Sequence, residues 1–139
     1  MFKHLLVPID LSAQNTRTLT IALELAVQSH ARVTLIHVIH RVAGVPLREL
    51  RGFYRQLRVK SDRKLAVAAT PFIRRGVRVH TVVAIGLPAL EIVKVAARRQ
   101  VDLIVMGSHK VDPTRSDQGW GTTSYKVGIS CQCPVMLVK

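Results

Sequence analysis

Aromatic side chains are scarce in this 139-residue sequence, with Phe, Trp and Tyr together at 4%. A surface that stacks the bases of single-stranded nucleic acid is therefore hard to assemble, and no nucleic-acid motif accompanies the basic residues. Carboxylates are few: 8 Asp and Glu stand against 21 Lys and Arg, leaving a formal charge of +13. No nucleophile, base and orienting group recur in a catalytic pattern, and no cluster has metal-ligand spacing, so catalysis and a resident metal are not expected. Cysteine is limited to Cys131 and Cys133. Their C-x-C has no second pair to complete a zinc site, and reduced core or near-surface thiols are the expectation. Long hydrophobic runs are missing too. The first apolar run ends at Asp10, too short for a signal peptide, and nothing approaches the roughly 18 residues of a membrane span. A cytoplasmic protein that does not span a membrane is expected.

What is present is Val, Ile, Leu and Ala, within a hydrophobic fraction of 48%. That composition suits helices packed on a buried parallel sheet, and the length suits one domain covering residues 1–139. Five apolar, β-branched runs alternate with helical patterns: Lys3 to Ile9, Arg32 to Ile39, Val77 to Ala84, Asp102 to Gly107 and Val135 to Lys139. The order is β-α four times, then β, which defines an α/β fold.

A first helix is predicted from Ala13 to Ser29, with Leu19, Ala22, Leu23, Ala26 and Val27 on one face. Another is predicted from Pro88 to Gln100, with Ala89, Ile92, Val93, Ala96 and Ala97 repeating the spacing and Pro88 at the first position. Between them a helical pattern runs from Leu47 to Arg75, its apolar stripe formed by Leu50, Tyr54, Leu57, Leu65, Ala68 and Phe72. Pro71 is expected to kink or end it. Arg48, Arg51, Arg55 and Arg58 form a second, basic stripe, read either as a docking face for an acidic protein, nucleic acid or membrane, or as a solvated face.

Parallel sheets bind ligands beyond the carboxyl ends of their strands, where the winding reverses. Asp10 closes the first strand; its carboxylate can accept from an adenine amino group or a ribose hydroxyl, or can cap the following turn. After the fourth strand come Met106, Gly107, Ser108, His109 and Lys110. A polar loop then leads to Gly121, Thr122 and Thr123 and on to a short helical stretch. Glycines that admit close approach and amides at a helix start suit a phosphate. The spacing fits neither the P-loop nor the dinucleotide fingerprint. Of the histidines, His109 falls in this region, whereas His4, His37, His40 and His80 read as structural or exposed.

Val-Pro-Ile-Asp at Val7 to Asp10, Gly86-Leu87-Pro88-Ala89, the run from Val101 to His109, and Gly121-Thr122 leading to Cys133-Pro134-Val135-Met136-Leu137-Val138 together resemble the universal stress protein family along essentially the whole chain. The resemblance implies a Rossmann-like, adenine nucleotide α hydrolase-like three-layer sandwich. Its five-stranded parallel sheet would run in order 3-2-1-4-5, with four helices. It also implies adenine nucleotide, ATP with magnesium or AMP, between the first and fourth strands. Contacts would come from Pro8, Ile9, Asp10, Val38, Met106, Gly107, Ser108, His109, Lys110, Gly121, Thr122 and Thr123. It further implies a homodimer through the last strand, Val135 to Val138, and a regulatory stress-response role with a protein or transporter partner.

One departure stands out. Family members that bind ATP carry Gly, two residues, Gly, nine residues, then Gly with Ser or Thr. Here Gly107 matches the first, but Lys110 replaces the second, and the ten residues Val111 to Trp120 precede Gly121-Thr122. Either Lys110, with Arg115 or Lys126, neutralises phosphate directly, or Asp112, Asp117 and Trp120 close the loop to ATP. Three readings follow: a nucleotide-responsive dimeric regulator with at most slow ATP hydrolysis, a dimeric interaction module that has lost ATP, and a polyanion binder using the arginine stripe.

Overall fold

The computed structural model describes residues 1–10, 15–108 and 122–139. Its elements run β1 (His4–Pro8), α1 (Thr16–Ser29), β2 (Arg32–His40), a 3-10 turn (Leu47–Leu50), α2 (Arg51–Arg74), β3 (Val79–Gly86), α3 (Pro88–Arg98), β4 (Leu103–Gly107), α4 (Thr123–Ser130) and β5 (Val135–Val138). The strands form one parallel sheet in order β3-β2-β1-β4-β5. This is the three-layer α/β architecture and strand order implied by the resemblance.

Alternation along each strand builds two cores. Leu5, Val7, Val33, Leu35, Leu103 and Val105 face α1 and α2, packing on Ala22, Ala26, Leu65 and Phe72. Leu6, Ile36, Ile104 and Met106 face α3 and α4, packing on Ile92, Val95, Ala96 and Val127. Helices cover both faces, which explains why the strands read as continuous apolar runs.

Some boundaries differ from the sequence expectation. β3 begins and ends two residues later, because Val77 closes the turn after α2, its N–H donating to the Phe72 carbonyl at 2.9 Å with Gly76 at φ 76°. The strand then continues to Gly86 by pairing Ile85 with Ile39 and Gly86 with His40. A Cβ at Gly86 would lie 2.8 Å from the Glu91 side chain, which would have to shift to admit it. α3 stops at Arg98 rather than Gln100, since Gln100 takes φ 55° and the Val101 N–H reaches back to the Ala96 carbonyl at 2.9 Å. Its buried face is turned relative to the expected stripe, with Val95 buried and Ala97 exposed.

Pro71 does not end α2, which continues through Arg74. The proline sits in the last turn, so the single helical hydrogen bond it deletes is the one to the carbonyl of Val67, a solvent-exposed residue. Arg48 lies in the 3-10 turn, outside the helix that carries Arg51, Arg55 and Arg58. The four arginines are therefore not one helical stripe, and Arg58 Nη2 is engaged by the Val83 carbonyl at 2.8 Å.

The amino-terminal edge of the sheet is tied by polar bonds. Asp102 accepts the N–H groups of Lys3 and His4 at 2.8 and 3.0 Å, and its own N–H donates to the His4 carbonyl. Burial raises the carboxyl pKa, but these backbone bonds outweigh it and hold it below the ordinary carboxylate value. His4, 4% exposed, donates from Nδ1 to the Arg99 carbonyl and accepts at Nε2 from Thr34. Desolvation lowers its pKa, opposed by the Arg99 carbonyl. Near β5, the Cys131 and Cys133 sulfurs lie 3.3 Å apart. Burial, together with the bond to Cys131, pushes the Cys133 thiol up to about 12.

Candidate functional site

The chain leaves β1 toward β2 and β3 on one side of the sheet, then returns to β4 and β5 on the other. β1 and β4 are neighbours whose connections leave in opposite directions, so their carboxyl ends open a crevice. A cleft of about 700 Å³ lies there, lined by Pro8, Ile9, Asp10, Val38, Met106, Gly107, Ser108, Thr122 and Thr123. Every described residue among the sequence candidates except Lys126 reaches this one cleft. His109, Lys110 and Gly121, with Asp112, Arg115, Asp117 and Trp120, lie outside the described residues. Lys126 lines an adjoining cleft with His40, Leu90 and Val93 and is not among the residues of the main one.

The cleft has an apolar side and a polar side. Ile9, Ile36, Val38, Ile92 and Met106 supply an apolar wall from strand ends and α3. Asp10 is exposed at the end of β1 and accepts a hydrogen bond from Asn15 Nδ2 at 2.8 Å. Across the cleft, Thr122 is the N-cap of α4: it has extended backbone (φ −70°, ψ 162°) and its hydroxyl accepts the Tyr125 N–H at 3.3 Å. Serine and threonine take this position because the hydroxyl satisfies an amide that the helix leaves unpaired. Ser124 Oγ bridges Thr122 Oγ1 at 3.2 Å and Ser108 Oγ at 3.5 Å, and Lys139 Nζ reaches Ser108 Oγ at 3.4 Å. The polar end thus gathers three hydroxyls, an ammonium and a helix amino terminus.

Gly107 sits where the polypeptide passes α1 closely. A Cβ there would be 3.3 Å from Thr18 Oγ1, a tight contact to which Thr18 would have to give slightly.

Sequence reasoning missed Asn15, Arg17, Thr18, His37, Ser124 and Lys139, all lining the cleft. His37 had read as structural or exposed. Its Nδ1 donates to the Ile9 carbonyl at 2.9 Å, a structural bond, and the ring also lines the cleft. Its signal was position, one residue before Val38 near the carboxyl end of β2. Arg17 and Lys139 carried no motif; they are neighbours of the site only because α1 and β5 flank β1 and β4.

An open, doubly wound α/β domain with a cleft at its switch point, apolar on one side and rich in hydroxyl and amide donors on the other, is the class these features define. The universal stress protein family model matches residues 1–139. The chain is 33% identical over 150 residues to universal stress protein YxiE of Bacillus subtilis, with all of both chains covered. The chain belongs to the universal stress protein family. Among solved structures, hypothetical protein MJ0577 superposes with a TM-score of 0.81 at 26% identity, covering 100% of this chain and 96% of that one. Two further structures share the fold: an Archaeoglobus fulgidus universal stress protein in complex with dAMP (TM-score 0.70, 16% identity, 100% and 98% covered) and a universal stress protein in complex with cAMP (0.64, 20%, 99% and 96%).

Proposed function

We propose that the cleft between β1 and β4 binds an adenine nucleotide, ATP accompanied by magnesium or AMP, and that the protein acts as a non-catalytic, nucleotide-responsive regulator in the stress response. The observation that carries this reading is the polarity of the cleft. The apolar wall of Ile9, Val38 and Met106 suits a base, and Asp10 suits a ribose hydroxyl or the adenine amino group. The Ser108, Thr122 and Ser124 hydroxyls, the start of α4 and Lys139 suit phosphate. Two fold relatives in complex with dAMP and with cAMP support an adenine nucleotide as the ligand class. Lys139 supports phosphate binding despite the replaced middle glycine, because an ammonium neutralises phosphate without needing a fixed geometry.

The same reading makes the protein a homodimer through β5. Among the described residues β5 pairs with β4 alone and ends the sheet, and Met136 and Leu137 on it are 37% and 39% exposed, with Ile129 of α4 at 67%. A sheet edge with apolar side chains is a template for a second strand.

Calorimetric titration of nucleotide-stripped protein with ATP and AMP tests the site. Saturable binding is expected, weakened about tenfold or more by Asp10→Ala, since a hydrogen bond to a charged group contributes about 1.5–3 kcal/mol. No heat with either nucleotide overturns the reading and leaves a dimeric interaction module.

A further inference from the structure

Neither Cys131 nor Cys133 lines the cleft; they stand where α4 hands over to β5. Cys131 is the C-cap of α4, its N–H donating to the Val127 carbonyl at 2.9 Å. Cys133 precedes Pro134, whose carbonyl accepts the Ile104 N–H at 3.0 Å where β5 begins to pair with β4. The Cys131 backbone is extended (φ −79°, ψ 145°), and side chains two residues apart along extended chain point to the same side. A bend at Gln132 and Cys133 then draws the two together. Both pack against the core under α3 and α4, both remain partly exposed, and their sulfurs meet at 3.3 Å. A disulfide needs about 2.05 Å, so closing the pair takes a movement of about 1.3 Å. Among the described residues no group of three His, Cys, Asp or Glu side chains could hold a metal ion, so the chemistry of the pair there is that of a dithiol.

We propose that Cys131 and Cys133 form a modification site, a dithiol that a hydroperoxide oxidises reversibly to an intramolecular disulfide. Cys131 is the sulfur that attacks. Burial first, and the bond to Cys131 second, push the Cys133 thiol up to about 12, which keeps the proton on Cys133. The Cys131 thiolate attacks one peroxide oxygen and the O–O bond breaks. The second oxygen leaves with the proton that Cys131 gave up, as alcohol or water, and Cys131 becomes a sulfenic acid. The Cys133 sulfur then displaces the sulfenic hydroxyl, which leaves with the Cys133 proton as water, and the S–S bond forms. The two sulfurs lose two electrons and the peroxide gains them. A peroxide, rather than a disulfide such as oxidised glutathione, is the oxidant because a ring closed over one intervening residue is strained, and strained disulfides have oxidising potentials. The same strain lets thiols reduce the bond again.

Intact-mass measurement of the reduced full chain, before and after a small excess of hydrogen peroxide, tests the proposal. The monomer is expected to lose two hydrogens and gain no oxygen, and dithiothreitol should restore it. With 2 cysteines in the chain, an intramolecular disulfide can join no other pair, and the loss should map to the tryptic peptide from Val127 to Lys139. Cys133→Ser should stop at the sulfenic acid of Cys131, one added oxygen that dimedone traps. Cys131→Ser should react with peroxide at least about tenfold more slowly than Cys133→Ser, because its remaining thiol keeps its proton. An unchanged thermal midpoint checks the fold of each variant. An unchanged mass after peroxide overturns the proposal. So does oxygen added to the parent chain without loss of the two hydrogens, or a disulfide between two chains on a non-reducing gel.

Discussion

His4 is a titratable ring held neutral between the Arg99 carbonyl and the Thr34 hydroxyl by burial. Its folded pKa lies below the ordinary 6.5, so protons bind the unfolded chain first. The stability this contributes is fully present above the unfolded value and is lost as pH falls through it toward the folded value. Asp102 follows the same sign in a more acid window, below the ordinary 3.8. The thermal midpoint is therefore expected to fall as pH drops from about 8 to about 5. His4→Gln should reduce stability by about 1–3 kcal/mol and flatten that slope; parallel slopes for the two proteins would show that His4 does not set it. Asp10, beyond the other end of the same strand, is exposed, lines the cleft and accepts from Asn15 Nδ2.

Among the elements, α2 shows how packing overrides a local breaker. Pro71 stands one residue before Phe72, which is 1% exposed and whose carbonyl receives the Val77 N–H that closes the turn into β3. Burying that ring fixes the last turn more strongly than one missing helical bond to the Val67 carbonyl loosens it. Phe72→Ala is expected to cost about 3–5 kcal/mol, seen as a lower urea midpoint without a change in slope. A loss under about 1 kcal/mol would mean that the end of α2 is not anchored there. α4 depends instead on its cap, where Thr122 both satisfies the Tyr125 amide and borders the cleft. One hydroxyl thus starts the helix and lines the candidate site.

For the whole molecule, the outer ridge of α2 lies apart from the cleft, whereas the edge of the sheet at β5, open among the described residues, adjoins the cleft through Val138 and Lys139. A formal charge of +13 opposes self-association at long range, so pairing through β5 must come from short-range strand hydrogen bonds and apolar contact. Light scattering is expected to give twice the chain mass, and Leu137→Arg to shift it to the monomer. A monomeric mass for the parent protein would remove the β5 interface. The two copies would meet beside Lys139, near the polar end of each cleft. Nucleotide affinity and dimer strength are therefore expected to be coupled in the wild type.

The number of strands, their parallel α/β arrangement, the faces of α1 and α2, and Asp10, Gly107 and Thr122 as candidates were all determined by the sequence. Apolar period, β-branched runs and turn residues are local signals, and strand ends are legible wherever Asp or Gly interrupts an apolar run. Only the tertiary structure decided that His37, Arg17, Ser124 and Lys139 share the cleft, that Val95 rather than Ala97 is buried, and that Pro71 does not end α2. Each of those outcomes depends on which residue from a distant part of the chain lies opposite. Strand register and helix packing set that relationship, and no local pattern encodes it.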